Sequence, residues 1–161
     1  MTTTSDAHTI LQTDPVAQEM LRSTIPARLA YTWHDGAPRV IPIWFHWTGD
    51  EILMGAPPNS PKMRALATRP AASLTIDTNE WPCKVLMIRG RATVTVDAEP
   101  FPEWLLAAQR YVGEEAGRDF LTLVKQTFPA WARIAIRPDE VRILDFGAGQ
   151  MPSAWSAGTH H

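Results

Sequence analysis

The sequence predicts a β-rich α+β fold built on a closed or partly closed antiparallel barrel. Three observations point there. Six or seven short apolar stretches read as strands, bounded by glycine, proline and aspartate clusters. The helical patterns are segregated: one short helix falls between strands and a helical pair comes late, unlike alternating βαβ units. Pro42 lies inside a long strand, where it marks an edge, bulge or bend, and a bent strand lets a small barrel close.

Residues 1–13 read as loosely attached. Asp14-Pro15 opens a helix, VAQEMLRS, with Val16, Met20 and Leu21 on one side; Ile25-Pro26 ends it. A strand follows at 28–33, RLAYTW, in which Leu29, Tyr31 and Trp33 alternate with Arg28, Ala30 and Thr32. Asp35-Gly36 is a hairpin signal. The return strand is 38–47, PRVIPIWFHW, and a reversal at Thr48-Gly49-Asp50 leads to 51–55, giving a three-stranded antiparallel meander. Pro57, Pro58 and Asn59 break the third strand. Ser60 then stands at an N-cap position with Pro61 at the first helical position. Met63, Leu66 and Ala67 form an apolar stripe, and Pro70 stops the helix.

Strand 72–77 precedes an irregular turn, NEWPC, and the long strand 84–96, KVLMIRGRATVTV. Gly90 in mid-strand predicts a bulge or a close approach of another group. Two helices are expected between Pro100 and Pro129, with Phe120, Leu121, Val124 and Phe128 at helical spacing; such stripes are more often core than cofactor contacts. Strands resume at 131–136 and 140–146, with Pro138-Asp139 as the turn. No repeat or linker appears, so one domain over 1–161 is expected, with its core at about 25–146 and peripheral termini.

With a net charge of −2, composition gives no reason to expect a nucleic-acid partner. No apolar run reaches the ~18 residues of a membrane span, and the polar start has no leader-type core, so a cytoplasmic protein is expected. Cys83 is the single cysteine, which leaves no intramolecular disulfide. No metal-ligand spacing is found; His34 and His46 read first as structural residues, and His8, His160 and His161 are terminal. Asp77 and Glu80 could pair, though a solvated strand end is the simpler reading. GxGxxG, GxxxxGK[ST] and GxSxG motifs are missing. Without the parts of a self-sufficient hydrolase, weight shifts to a cofactor that brings its own chemistry.

One placement stands out. Lys62 occupies the first turn of a helix and Arg64 follows, although a helix N-terminus prefers anions. A bound phosphate would resolve the conflict, because the free N–H groups, the Ser60 hydroxyl and the Lys62 ammonium would converge on it. A solvated lysine is the plainer alternative.

The order of PRVIPIWFHW, SPKMRALATRPAASLTID and KVLMIRGRATV resembles the pyridoxamine-phosphate-oxidase-like family of split β-barrels, which includes flavin and deazaflavin oxidoreductases. The resemblance covers roughly residues 25–146. It implies an antiparallel split β-barrel that binds FMN, or alternatively a deazaflavin coenzyme, at the interface of a homodimer. It places the cofactor phosphate at Asn59, Ser60 and Lys62, where a Ser-Pro-Lys run replaces the family's Ser-Arg-Lys, with Arg64 or Arg39 as a second cation. Ile41, Pro42, Ile43 and Trp44 would line the flavin ring. Lys84 falls in the run that contacts the ring in the oxidase, where a glutamine is lost here. The oxidase's C-terminal arginine motif is not visible in ILDFGAGQMPSAWS, which argues against pyridoxine phosphate as substrate. Trp131 or Trp155 from a partner chain could wall the site; core packing is the simpler reading.

The expected activity is hydride or electron transfer to or from a small, apolar or conjugated substrate. His46 is a candidate proton donor with a structural role as its alternative. A non-catalytic flavin or haem binder, and a subunit that binds nothing, remain open.

Overall fold

The computed structural model describes residues 4–150. Helices α1 (Thr4–Thr13) and α2 (Pro15–Arg22) precede strands β1 (Ala27–Thr32), β2 (Pro38–Ile43), β3 (His46–Trp47) and β4 (Ile52–Ala56). Helix α3 (Pro61–Thr68) leads into β5 (Ala71–Asp77) and β6 (Lys84–Asp97). Helices α4 (Pro102–Val112) and α5 (Glu114–Thr127) then precede β7 (Trp131–Asp145). The strands form one antiparallel sheet in the order β2-β1-β5-β6-β7-β4-β3.

The strands at the two rims of this sheet are halves of one segment. β2 pairs with β1, Ile41 opposite Leu29. Trp44 and Phe45 step out of the ladder, and β3 then pairs with β4, His46 opposite Leu53. Segment 38–47 therefore joins the rims and closes the sheet into a ring. This is an antiparallel split β-barrel, β-rich and α+β in class. The expected meander is present, with its middle strand broken at Trp44-Phe45. Pro42 sits on the rim strand, where a missing N–H costs least. The β1–β2 turn is the one that Asp35-Gly36 signals: Gly36 has φ 85°, and the Asp35 carboxylate accepts the Ala37 N–H at 2.9 Å.

Inward-facing residues fill the ring, among them Leu29, Met54, Leu74, Ile76, Leu86, Ile88 and Ile134. Helices α4 and α5 cover the outer face of β4 and β7, where Leu53, Trp104, Val124, Trp131 and Ala135 form a second cluster. The outer cover makes both faces of residues 131–136 apolar, hence the near-continuous run WARIAI.

Three local expectations are corrected. Residues 4–13 do not fray: they form α1, because Ala7 and Leu11 share a face one turn apart and are fully buried in the core. In α3 the buried pair is Ala65 and Leu66, while Ala67 faces solvent. Pro138-Asp139 is not a turn. β7 runs unbroken, with Gly90 opposite Pro138 and Arg89 opposite Glu140, so Asp139 is the extra residue of a bulge. The bulge and the close approach expected at Gly90 are both present; a Cβ there would lie 2.2 Å from the Arg137 carbonyl oxygen. A bulge tolerates Pro138 because it interrupts the ladder.

Candidate functional site

The N-terminus of α3 is left open. Ser60 is the N-cap by conformation (φ −64°, ψ 147°), yet its hydroxyl makes no capping bond. Its Oγ is buried and has no hydrogen-bond partner among the described residues. Pro61 has no N–H, and the N–H groups of Lys62 and Met63 meet no acceptor among the described residues. The other helices each carry an acid at this end: Asp6 in α1, Asp14 capping α2, Glu103 in α4, and Glu114 with Glu115 in α5. Helix α3 carries Lys62 instead. Lys62 has no ion pair among the described residues, and burial holds its pKa below the ordinary lysine value.

Arg64 and Arg39 reach the same neighbourhood as each other. Their guanidinium carbons lie 5.9 and 5.6 Å from the ring centroid of Trp33. Asn59, next to Ser60, is exposed. Neutral donors and a half-buried ammonium suit a phosphate, whose charge would offset the desolvation of Lys62.

A cleft of about 460 Å³ opens beside the kinked strand. Pro42, Ile43 and Trp44 line it from β2 and its exit, Gly55 from β4, Trp104 and Phe120 from α4 and α5, Trp131 from β7, and Pro26 from the start of the barrel. Its size is that of a small-molecule site. Trp44 is held flat against Tyr111, with centroids 5.1 Å apart and planes 5° apart. The Tyr111 hydroxyl donates to the Ile25 carbonyl at 3.1 Å, and burial raises its pKa, so it stays protonated. Beside them, Arg110 donates from Nη2 to the Phe45 carbonyl at 2.6 Å and from Nε to the Ser23 carbonyl at 3.0 Å. The Phe45 carbonyl, left without a ladder partner by the kink, thus receives a charged one.

The structure brings Pro42, Ile43 and Trp44 to the cleft, and Ser60 and Lys62 to the α3 terminus. Ile41 packs against the core. Lys84 is elsewhere: it begins β6, where its ammonium bonds Glu19 of α2 at 2.6 Å. Asp77 pairs with Arg28 rather than with Glu80. His46 is not among the residues lining the cleft. Burial, reinforced by the Arg110 charge and opposed by Glu103, lowers its pKa, so the ring is neutral at pH 7; its Nδ1 is buried without a partner among the described residues. Trp131 is buried in its own chain and lines that chain's cleft. Trp155 lies outside the described residues. Among the described residues no metal-binding group is gathered, and no helix is long and apolar enough to cross a membrane.

Gly55, Trp104 and Pro26 were not marked out by sequence, and Phe120 read as core. Gly55 carried a usable signal, a glycine inside an apolar strand, the same kind that marked Gly90. Its reason is contact: a Cβ would lie 2.2 Å from Trp104 Cδ1.

The ring closed by one bent strand, with a helix between strands and a helical pair outside, defines a split-barrel protein. Residues 13–145 match the family model described as pyridoxamine 5'-phosphate oxidase, and the chain belongs to that family. A conserved hypothetical protein from Mycobacterium tuberculosis is similar in structure, with a TM-score of 0.68 and 19% identity over 87% of this chain and 89% of its own. An F420 reductase gives a TM-score of 0.60 at 21% identity, over 78% of this chain and 94% of its own. The haem storage protein HutZ from Vibrio cholerae gives 0.60 at 16% identity, over 82% and 93%. At these identities the likeness is one of fold. No curated protein matches the sequence.

Proposed function

We propose that the protein is an oxidoreductase that binds FMN, with the cofactor phosphate at the N-terminus of α3. The observation that carries this is the buried, unpartnered Ser60 hydroxyl beside a desolvated Lys62 at a helix start with no acid. When bound, a flavin supplies hydride or electron transfer. The chain's own residues do the rest. Ser60, Lys62 and the open N–H groups hold the phosphate, with Asn59 alongside. Pro42, Ile43 and Trp44 present a flat apolar wall that orients a ring and excludes water.

A deazaflavin coenzyme is the second reading. The similarity to an F420 reductase favours it, as does Arg64, which adds a second positive charge to α3 two residues beyond Lys62. A haem-binding role, as in HutZ, has less support, because no described histidine lines the cleft. Two copies of the chain are expected to assemble. Val40, 63% exposed on rim strand β2, offers an apolar edge for the second copy.

The experiment is a titration of the purified protein with FMN and, separately, with the deazaflavin coenzyme, read by absorbance and fluorescence. Lys62→Ala is expected to weaken binding by roughly 1.5–3 kcal/mol, the worth of a charge-assisted hydrogen bond. Ser60→Ala is expected to weaken it less. Unchanged affinity in a folded Lys62→Ala protein for both cofactors rules out the phosphate site.

A further inference from the structure

Strand β1 runs out through Trp33 and His34 into its hairpin turn, and α3 packs against that strand. Between them lies a second cavity of about 310 Å³, lined by Trp33, His34, Arg64, Ala65, Thr68 and Arg69. It shares no residue with the aromatic cleft. It follows the C-terminal half of α3; Arg69 stands roughly 13 Å along the helix axis from Ser60. The guanidinium groups of Arg64 and Arg39 are held over the Trp33 indole, one from α3 and one from β2. Arg69 Nη2 donates to the His34 carbonyl at 3.2 Å, and Nη1 to Thr68 Oγ1 at 3.4 Å, which ties the end of α3 to the turn. The rings of Trp33 and His34 meet with centroids 4.6 Å apart.

Arg39, Arg64 and Arg69 have no ion pair among the described residues, whereas Arg28, Arg89, Arg118, Arg133, Arg137 and Arg142 each meet a carboxylate. No acid lines the cavity. Asp35, the acid next to His34, is engaged with the Ala37 N–H. A helix C-terminus favours a cation, which accounts for Arg69 alone. It does not account for Arg64 in mid-helix or Arg39 on a strand. Three like charges gathered about one indole repel one another, and an anion between them removes that repulsion.

We propose that this cavity is a second anion site, distinct from the start of α3, and that it takes a phosphomonoester. Arg64 and Arg69 would bind its oxygens, with Arg39 adding charge from β2. Charge and shape select the group: a phosphomonoester carries about −1.5 to −2 at pH 7 and presents three oxygens to the guanidinium forks. Free inorganic phosphate and a nucleotide share this chemistry, and the Trp33 and His34 rings offer a nucleotide base a surface to stack on. The inference stands on this cavity and does not use the flavin reading.

The test titrates inorganic phosphate, 5'-AMP, adenosine and acetate into full-length protein labelled with nitrogen-15, at constant ionic strength. The readout is the Trp33 indole N–H resonance, assigned with Trp33→Phe. Titrations are made without cofactor, with saturating FMN, and with the saturating deazaflavin coenzyme. Phosphate or AMP is expected to move that resonance in all three states, and acetate to bind roughly tenfold more weakly. Tighter binding of AMP identifies a nucleotide as the source; equal binding identifies the free anion. The double variant Arg64→Gln with Arg69→Gln is expected to weaken binding roughly tenfold or more, and Lys62→Ala to leave it within about twofold. Arg64→Gln alone, at an exposed position, is expected to weaken it about threefold, and it serves where the Arg69 tie is needed for folding. No response to either phosphate probe overturns the proposal, as does an affinity that these arginine variants leave unchanged. Acetate binding as tightly as phosphate, or adenosine as tightly as AMP, also overturns it. Loss of the response on saturation with either cofactor assigns the cavity to the cofactor and overturns a separate site. Failure of both cofactors to bind, with the phosphate response intact, refutes the cofactor reading and leaves the cavity standing.

Discussion

At the scale of the residue, Lys62 joins structure to a measurable pH dependence. Burial lowers its pKa in the free protein, so the folded chain releases this proton at lower pH than the unfolded chain does. Between those two values the unfolded state binds more protons, and stability of the free protein rises with pH. Phosphate binding needs the charged form and runs the other way. Affinity for FMN is expected to decline with rising pH before the ordinary lysine range is reached. Lys62→Arg should hold its affinity to higher pH, because a guanidinium stays charged. Isothermal titrations across alkaline pH check this; a wild-type affinity that stays level into the ordinary lysine range refutes it. His46 gives a second window. Its lowered pKa means the unfolded chain takes up a proton first as pH falls through the ordinary histidine range, so folded stability drops there. His46→Gln should flatten the acid limb of a stability-against-pH curve, and an unaltered limb contradicts the burial argument.

At the scale of the element, the kinked segment 38–47 depends on a side chain from another helix. Arg110 on α4 serves the Phe45 carbonyl, packs its guanidinium 4.9 Å from the Phe45 ring centroid and 4.8 Å from that of Tyr111, and ties both to Ser23. Arg110→Ala is expected to cost about 1.5–3 kcal/mol in denaturant unfolding, from lost charged hydrogen bonds at a partly buried carbonyl. A loss under half a kcal/mol in that experiment would show that the kink holds itself. Much of the element layout was legible because it is local: alternation in 28–33, Asp35-Gly36, Ser60-Pro61 and mid-strand Gly90 each act within a few residues. What failed was tertiary. Proline at 138 looks like punctuation until Gly90 is seen across the ladder, and α1 looks polar until Ala7 and Leu11 find the barrel. The site divides in the same way. Ser60, Lys62 and Pro42 to Trp44 are contiguous motifs. Gly55, Trp104, Phe120 and Trp131 come from four different elements and carry no shared pattern along the chain. Lys84, though in a recognisable run, is drawn to Glu19.

At the scale of the whole molecule, the rim strand β2 is the exposed edge of the barrel, and Val40 stands out from it. Sedimentation equilibrium is expected to find a dimer, and Val40→Lys should shift it toward monomer by placing a charge in an apolar contact. A wild-type monomer at all concentrations would refute that assembly. The ring also imposes an order on biosynthesis. β1 and β2 can fold as a hairpin as soon as they leave the ribosome, but β4 must wait for β7, since Ile52 pairs with Ile136 and Ala56 with Ala132. Some eighty residues of translation separate the two, time in which the apolar run Ile52–Ala56 has no neighbour on that flank. A nascent chain stopped before Trp131 therefore carries an unsealed hydrophobic strand, the species most in need of a chaperone.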